Sequence, residues 1–152
     1  LSLVLFDHEY HLLYDAVDLQ QVEPLDETTY VPRGTTALLD AIGRTIDDLG
    51  RRLANTPEPD RPGQVIIAIL TDGLENASTD YTRERVAEMI KHQQEAYNWE
   101  FVFLAANQDA IQAAKNLAIK SQDAINFAAT ASGVREGYAQ MSNVVSSKRG
   151  RK

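Results

Sequence analysis

The feature that most constrains this chain is the apolar run VIIAIL at 65–70, which is followed at once by Thr71, Asp72 and Gly73. An uninterrupted run of this length, ended by turn-forming residues, is typical of a β-strand that is buried on both faces. A second such run occupies 101–106 and is followed by Asn107. Strands of this kind need helices on both faces of their sheet, so the sequence predicts an α/β fold.

Helical periodicity appears between and after these runs. A helix that begins near Thr35 is predicted because five apolar residues recur three and four positions apart and so share one face. These residues are Leu39, Ile42, Ile46, Leu49 and Leu53. On the opposite face, acid-first pairs four residues apart are expected: Asp40 with Arg44, Asp47 with Arg51, and Asp48 with Arg52.

Three further helices are predicted. The first is capped by Thr82, and Val86, Met89, Ile90, Gln93 and Tyr97 share its apolar face. The second is a short helix over 110–117. The spacing of Val134, Tyr138, Met141 and Val145 indicates the last. The start of the chain predicts an antiparallel hairpin, with strands at 1–6 and 10–16, and a last short strand is expected at 125–127. The segments 18–32 and 55–63 are polar and rich in proline, which indicates loops.

The order of these elements predicts a Rossmann-like, doubly wound and mostly parallel sheet, with helices on both faces and one antiparallel edge hairpin. The chain has 152 residues, which fits one domain over 1–145. A basic tail over 146–152 is expected to be disordered.

Composition narrows the classes of function. The net charge is −7 and four of the cations lie within the last five residues, so a nucleic-acid-binding body is not expected. No apolar run approaches the length that spans a membrane, so no membrane partner is expected.

The chain has no cysteine, which removes disulfides, thiolate zinc sites and cysteine nucleophiles and favours a cytoplasmic location. Because it begins at Leu1, inside an apolar strand, we expect it to be a fragment.

In open α/β sheets, ligands bind beyond the carboxyl ends of the strands, so Asp72 and Asn107 are the first candidates for a site. Asp7 also follows a predicted strand, although a polar hairpin turn accounts for it. His8 and His11 should point to opposite faces of a hairpin, and His92 has no histidine one turn away, so no histidine metal site is expected. Nucleotide-binding glycine motifs and the Gly-x-Ser-x-Gly elbow are absent from the sequence.

Two segments, RGTTALLDAI at 33–42 and ILTDGLEN at 69–76, resemble the von Willebrand factor A domain, in its stand-alone bacterial form. The first is similar to the family's Gly-Thr segment before a long helix, and the second to its strand that ends in Thr-Asp-Gly. The resemblance implies a metal-ion-dependent adhesion site, in which the matching ligands here are Thr36 and Asp72, with Thr35 as an alternative to Thr36.

The resemblance further implies a bound Mg²⁺, with Mn²⁺ or Ca²⁺ as alternatives, and a partner protein whose carboxylate completes the coordination. Gly73, Glu75 and Asn107 are expected to form the rim that contacts this partner. The family's Asp-x-Ser-x-Ser motif is absent from the chain. In the family that motif ends a central strand, which would precede Leu1, so metal binding is expected to be weak.

The sequence therefore predicts a protein-binding module without enzymatic activity. Two alternatives remain open: a Mg²⁺-dependent phosphatase-like enzyme on a similar sheet, and a domain whose metal site has decayed. The expected absence of the central strand also predicts exposed strand edges, which could be covered by strand exchange between copies of the chain.

Overall fold

The computed structural model describes residues 1–31, 33–106 and 109–150. Its strands are β1 (Leu3–Phe6), β2 (Tyr10–Tyr14), β3 (Ile66–Thr71), β4 (Glu100–Ala106) and β5 (Ala124–Phe127). Its α-helices are α1 (Leu38–Asn55), α2 (Arg83–Tyr97), α3 (Ala110–Asn116) and α4 (Ala131–Arg149). Single 3₁₀ turns lie at Leu19–Gln21, Glu58–Asp60 and Ser121–Asp123. The α/β class and the order of the predicted elements are confirmed.

The described strands form two sheets, where the sequence predicted one. β1 pairs with β2 as the expected antiparallel hairpin, and β3, β4 and β5 form a parallel sheet in that order. The register places Thr71 beside Ala105, so β3 and β4 end at nearly the same level. We call the end of the parallel sheet where its three strands finish the carboxyl edge.

β4 is the most deeply buried strand because it has a neighbour on each side. Phe101, Val102, Phe103 and Leu104 are all at most 2% exposed. The side chains of Phe101 and Phe103 pack in one core cluster with α1, α2 and α3, whereas Val102 and Leu104 pack in a second cluster against α4. Helices therefore cover both faces of the parallel sheet.

β3 is less buried than its apolar sequence predicts. Ala68 is exposed and Ile66 and Ile67 are half-buried. The physical reason is that β3 has a paired strand on the β4 side only, so its other edge is open among the described residues. No helix in the described part of the chain is long and apolar enough to cross a membrane.

The predicted buried face of α1 is confirmed. Leu39, Ile42 and Ile46 are buried, and Leu49 and Leu53 pack against the same core. For α2, the Thr82 cap is confirmed by its hydrogen bond from the Arg85 N–H. The predicted burial of Tyr97 is wrong, since this side chain is 63% exposed beyond the last packed turn.

The ion pairs predicted along α1 do not form. Arg44 pairs with Asp48 and also lies 4.2 Å from the centroid of the Tyr10 ring. Arg51 also pairs with Asp48, and Arg52 reaches Asp15 beyond β2. The two remaining acids, Asp40 and Asp47, are used by a loop described below, because tertiary contacts compete with pairs along a helix.

The terminal helix α4 is confirmed, but not all of the apolar residues that indicated it face the core. Val134 and Tyr138 are exposed, and the helix instead packs through Gly133, Gly137 and the side chain of Met141. A Cβ added to Gly133 would lie 2.2 Å from the carbonyl oxygen of Ala128. At Gly133 only glycine fits, and at Gly137 an added Cβ would lie 3.1 Å from the side chain of Phe127 in β5. An apolar periodicity does not reveal such a face.

Residues 146–149, expected in a disordered tail, form the last turn of α4. Lys148 in this turn is buried and forms ion pairs with Asp123, at 2.8 Å, and with Glu100. These carboxylates raise the pKa of Lys148, against the opposing effect of burial. A basic residue in a terminal tail thus anchors the helix to the sheet. Arg151 and Lys152 lie outside the described residues.

We expect Gly133→Ala to lower the free energy of unfolding by about 1–3 kcal/mol, because the added methyl group collides with the Ala128 backbone. The matched control is Gly50→Ala in α1, where nothing lies within 4 Å of the added methyl group. This control should stabilise the protein by up to about 1 kcal/mol, since alanine favours a helix over glycine. Urea unfolding of both variants measures the difference, and equal effects would contradict the α4 packing.

Candidate functional site

The site is built around the first turn of α1, which the structure places at the carboxyl edge. The helix begins at Leu38, three residues after the predicted start, and its N-cap residue Ala37 has no side-chain cap. The N–H of Ala37 donates to the backbone oxygen of Asp7, at 2.7 Å. The end of the hairpin strand β1 is thereby joined to the start of α1.

Glu75 supplies the missing cap from the loop that follows β3. Its carboxylate accepts hydrogen bonds from the Leu39 N–H at 2.9 Å, from the Ala77 N–H, and from both the N–H and the hydroxyl of Ser78. Partial burial acts to raise the pKa of Glu75, and these hydrogen bonds outweigh it, so the pKa lies below its ordinary value. Glu75, predicted to contact a partner, therefore has its carboxylate engaged within the chain.

Asp40, in the first turn of α1, in turn accepts hydrogen bonds from the loop that follows β3. Its side chain accepts from the N–H groups of Thr79, Asp80 and Tyr81, at 2.8, 3.0 and 2.8 Å, and its own N–H donates to the Ser78 hydroxyl. Each segment thus provides a carboxylate for the backbone of the other. We call the segment 75–81 the clamped loop.

The clamped loop ends at Tyr81, whose aromatic ring packs against Gly43 of α1. A Cβ on Gly43 would lie 2.2 Å from Cδ1 of Tyr81, so the ring occupies the space of the missing side chain. The Tyr81 hydroxyl donates to Asp47 at 2.7 Å. This hydrogen bond, together with burial and the nearby carboxylates, raises the pKa of Tyr81 to about 12.

Thr36 and Gly73, from two separate segments, are brought into contact. The Thr36 N–H donates to the Asn76 side chain at 2.9 Å, and the Asn76 N–H donates back to the Thr36 carbonyl at 3.1 Å. A Cβ on Gly73 would lie 2.8 Å from the Thr36 hydroxyl oxygen. The buried Thr71 hydroxyl donates to the Gly73 carbonyl and fixes the turn that carries Asp72.

The structure separates the two threonines that the sequence left as alternatives. The Thr36 hydroxyl lies beside Gly73, whereas the Thr35 hydroxyl lies 3.3 Å from Nδ1 of His8 in the hairpin. Thr36 is therefore the threonine next to the segment that carries Asp72. Asp72 itself is exposed. Asn107, the remaining predicted rim residue, lies outside the described residues.

A second group of potential metal ligands lies in the hairpin turn. One ligand atom from each of Asp7, His8 and Glu9 falls within 4.8 Å of the others. Arg33 contacts both carboxylates, at 3.2 Å from Asp7 and 2.7 Å from Glu9. The Glu9 N–H holds the pKa of Asp7 below its ordinary value, and Arg33 and His8 lower it further. One of the two negative charges of this turn is thus balanced by Arg33 within the chain.

Sequence reasoning missed the group in the hairpin turn, although three adjacent ligand types in one turn were a visible signal. It also missed the carboxylates that attach the clamped loop to α1. No spacing rule could reveal these, because each bond joins residues 36 to 41 positions apart.

We expect Glu75→Ala to lower the free energy of unfolding by about 1–3 kcal/mol at pH 7, because several N–H groups lose their acceptor. The folded pKa is below the unfolded one, so the stabilisation is complete above the unfolded pKa, about 4.3, and is lost as the pH falls through the folded value. The difference in the free energy of unfolding between the unmodified protein and Glu75→Ala should therefore be smaller at pH 3 than at pH 7.

Urea unfolding at both pH values, with the exposed Glu88→Ala as control, checks this prediction. A difference in the free energy of unfolding that does not change with pH would show that the charge of Glu75 is not what holds the clamped loop.

Comparison of the chain with protein-family models, with curated proteins and with solved structures found no match. The resemblance to the von Willebrand factor A domain therefore rests on the two sequence segments and stays a prediction.

Proposed function

We propose that this chain is a protein-binding module that recruits its partner at the carboxyl edge, through a divalent cation held by Thr36 and Asp72. The observation that carries the proposal is the close contact between Thr36 and Gly73, where a Cβ would lie 2.8 Å from the Thr36 hydroxyl oxygen. The missing side chain of Gly73 lets the Thr36 hydroxyl approach the backbone directly after an exposed carboxylate, that of Asp72.

The donor chemistry fits a hard cation. Hydroxyl and carboxylate oxygens suit Mg²⁺, and Mn²⁺ or Ca²⁺ would also accept them. When bound, the cation would offer its remaining positions to a carboxylate of the partner protein. Two side-chain ligands hold Mg²⁺ poorly, because the ion gives up its waters reluctantly.

A binding role accounts for the site better than catalysis. Arg33, a basic residue near this edge, forms ion pairs with Asp7 and Glu9, so it is not positioned for phosphoryl chemistry at Asp72. We accordingly propose no enzymatic activity, and we place the module in the cytoplasm because the sequence lacks cysteine.

The single doubly wound sheet is likewise a proposal. Among the described residues, β1 and β3 lie in separate sheets, and both end beside the start of α1: Asp7 bonds to Ala37, and Gly73 adjoins Thr36. A strand added between β1 and β3 would join the two sheets into one. Strand exchange between two copies of the chain is one way to supply it.

We expect Mg²⁺ to bind with a dissociation constant weaker than micromolar, and Asp72→Ala to abolish the binding. Calorimetric titration measures both, with Glu88→Gln as a matched loss of one exposed carboxylate elsewhere. A micromolar or tighter site that survives Asp72→Ala would contradict the assignment of the ligands.

We expect amides on the open side of β3 to exchange hydrogen faster than those of β4, since unpaired edge groups are exposed to water. An N-terminal extension that supplies a strand ending in Asp-x-Ser-x-Ser should slow this exchange and raise both the melting temperature and the affinity for Mg²⁺. If β3 is as protected as β4 in the monomeric chain, the added-strand proposal is wrong.

A further inference from the structure

A cavity of about 230 Å³ lies between the hairpin, the first turns of α1 and the end of the clamped loop. Its volume is below the range of about 300–1,000 Å³ that holds drug-sized ligands, so only a small molecule fits. The side chains that carry the argument are Phe6 and Tyr10 from the hairpin, Ala41 and Arg44 from α1, and Asp80 and Tyr81 from the clamped loop. Aromatic and apolar walls with a few charged groups are typical of sites that bind small molecules.

Arg44 has unused hydrogen-bond donors at this cavity. Its guanidinium carbon lies 4.2 Å from the centroid of the Tyr10 ring, and the Tyr10 hydroxyl lies 3.0 Å from Oγ1 of Thr45. The guanidinium is thus stacked on a ring that is itself attached to α1. Among the described residues, Arg44 donates a side-chain hydrogen bond only from Nε, to Asp48 at 3.5 Å. Its two terminal amino groups are therefore available to a carboxylate, which they can bind through two parallel hydrogen bonds.

Asp80 provides a charge of the opposite sign on another wall of the cavity. Its N–H donates to Asp40 at 3.0 Å, and the ring of the next residue, Tyr81, packs against Gly43. These contacts hold this end of the loop against the same turn of α1 that carries Arg44. The Asp80 carboxylate is exposed and accepts a hydrogen bond from the Thr79 hydroxyl at 3.2 Å. No cationic side chain among the described residues forms an ion pair with it.

The two other carboxylates of the wall are already used within the chain. Asp40 accepts hydrogen bonds from three backbone N–H groups of the clamped loop. Glu9 forms an ion pair with Arg33 at 2.7 Å. The groups that the cavity leaves for a ligand are therefore one guanidinium and one carboxylate.

We propose that this cavity binds a free amino acid, whose carboxylate pairs with Arg44 and whose ammonium group pairs with Asp80. The side chain of the amino acid would lie on the apolar surface formed by Phe6, Ala37 and Ala41. A simple anion would match Arg44 and be repelled by Asp80, and a simple amine would meet the reverse. A zwitterion satisfies both charges, so it fits better than either.

This inference goes beyond the proposed function and does not rest on it. Neither Thr36 nor Asp72 is among the described residues that line the cavity. Binding of the amino acid needs no metal ion, and Asp72→Ala should leave it unchanged. Loss of the proposed metal site and loss of this site are therefore distinguished by separate variants.

The test uses the full chain and three probes of one shape. L-leucine carries both charges, isoamylamine is leucine without its carboxylate, and isocaproate is leucine without its amino group. We expect calorimetric titration to show saturable binding of leucine that is about tenfold or more tighter than that of either analogue. The reason is that each analogue leaves one charged group of the cavity without its partner.

Two variants separate the two ends of the ligand. Arg44→Gln should weaken leucine binding about tenfold and should not weaken that of isoamylamine, which has no carboxylate. Asp80→Asn should weaken leucine binding by a similar factor and should not weaken that of isocaproate. The matched controls are Arg51→Gln, an arginine of α1 that also pairs with Asp48, and Asp60→Asn, an exposed aspartate after α1. Both controls should bind leucine as the unmodified chain does.

Ring-proton NMR shifts of the unmodified chain provide a readout that does not depend on any variant folding. Leucine should move the signals of Tyr10 and Tyr81, which line the cavity, and leave those of Tyr97 on α2 in place. Equal affinity for leucine and its two analogues, or leucine binding that both Arg44→Gln and Asp80→Asn leave unchanged, would overturn the proposal. So would the absence of saturable leucine binding below about 10 mM.

Discussion

The fold depends on the burial of β4, the one described strand with a paired neighbour on each side in the parallel sheet. Its alternate side chains supply both core clusters, Phe101 and Phe103 toward α1 and α2, and Val102 and Leu104 toward α4. Because apolar burial is the main favourable term in folding, this strand sets where the helices lie. The same parallel register brings the ends of β3 and β4 to one level, where the candidate site is found.

The start of α1 is held at that level by carboxylates. A helix leaves its first N–H groups without partners. Here Glu75, from a distant loop, accepts a hydrogen bond from the helix, and Asp40 of the helix accepts hydrogen bonds from the N–H groups of that loop. This reciprocal arrangement fixes the clamped loop, and the hydrogen bonds between Thr36 and Asn76 hold Thr36 beside the segment that contains Gly73. It also explains why acidic residues that look available in the sequence are occupied in the folded chain.

Asp72 is the acidic side chain that follows β3, and it is exposed. In the proposed function, this carboxylate holds a divalent cation together with the Thr36 hydroxyl, which lies beside Gly73.

The sequence by itself determined the α/β class, the elements and the buried face of α1, because apolar periodicity reports which side of a helix or strand avoids water. It also placed Asp72 at a strand end and Thr36 before a helix. Only the tertiary structure decided the face of α4, since glycine contacts carry no apolar signal, and the internal use of Glu75, since its partner Leu39 lies 36 residues away. It likewise left β1 and β3 in separate sheets, because strand pairing depends on which edges meet in space and not on the apolar pattern of either strand.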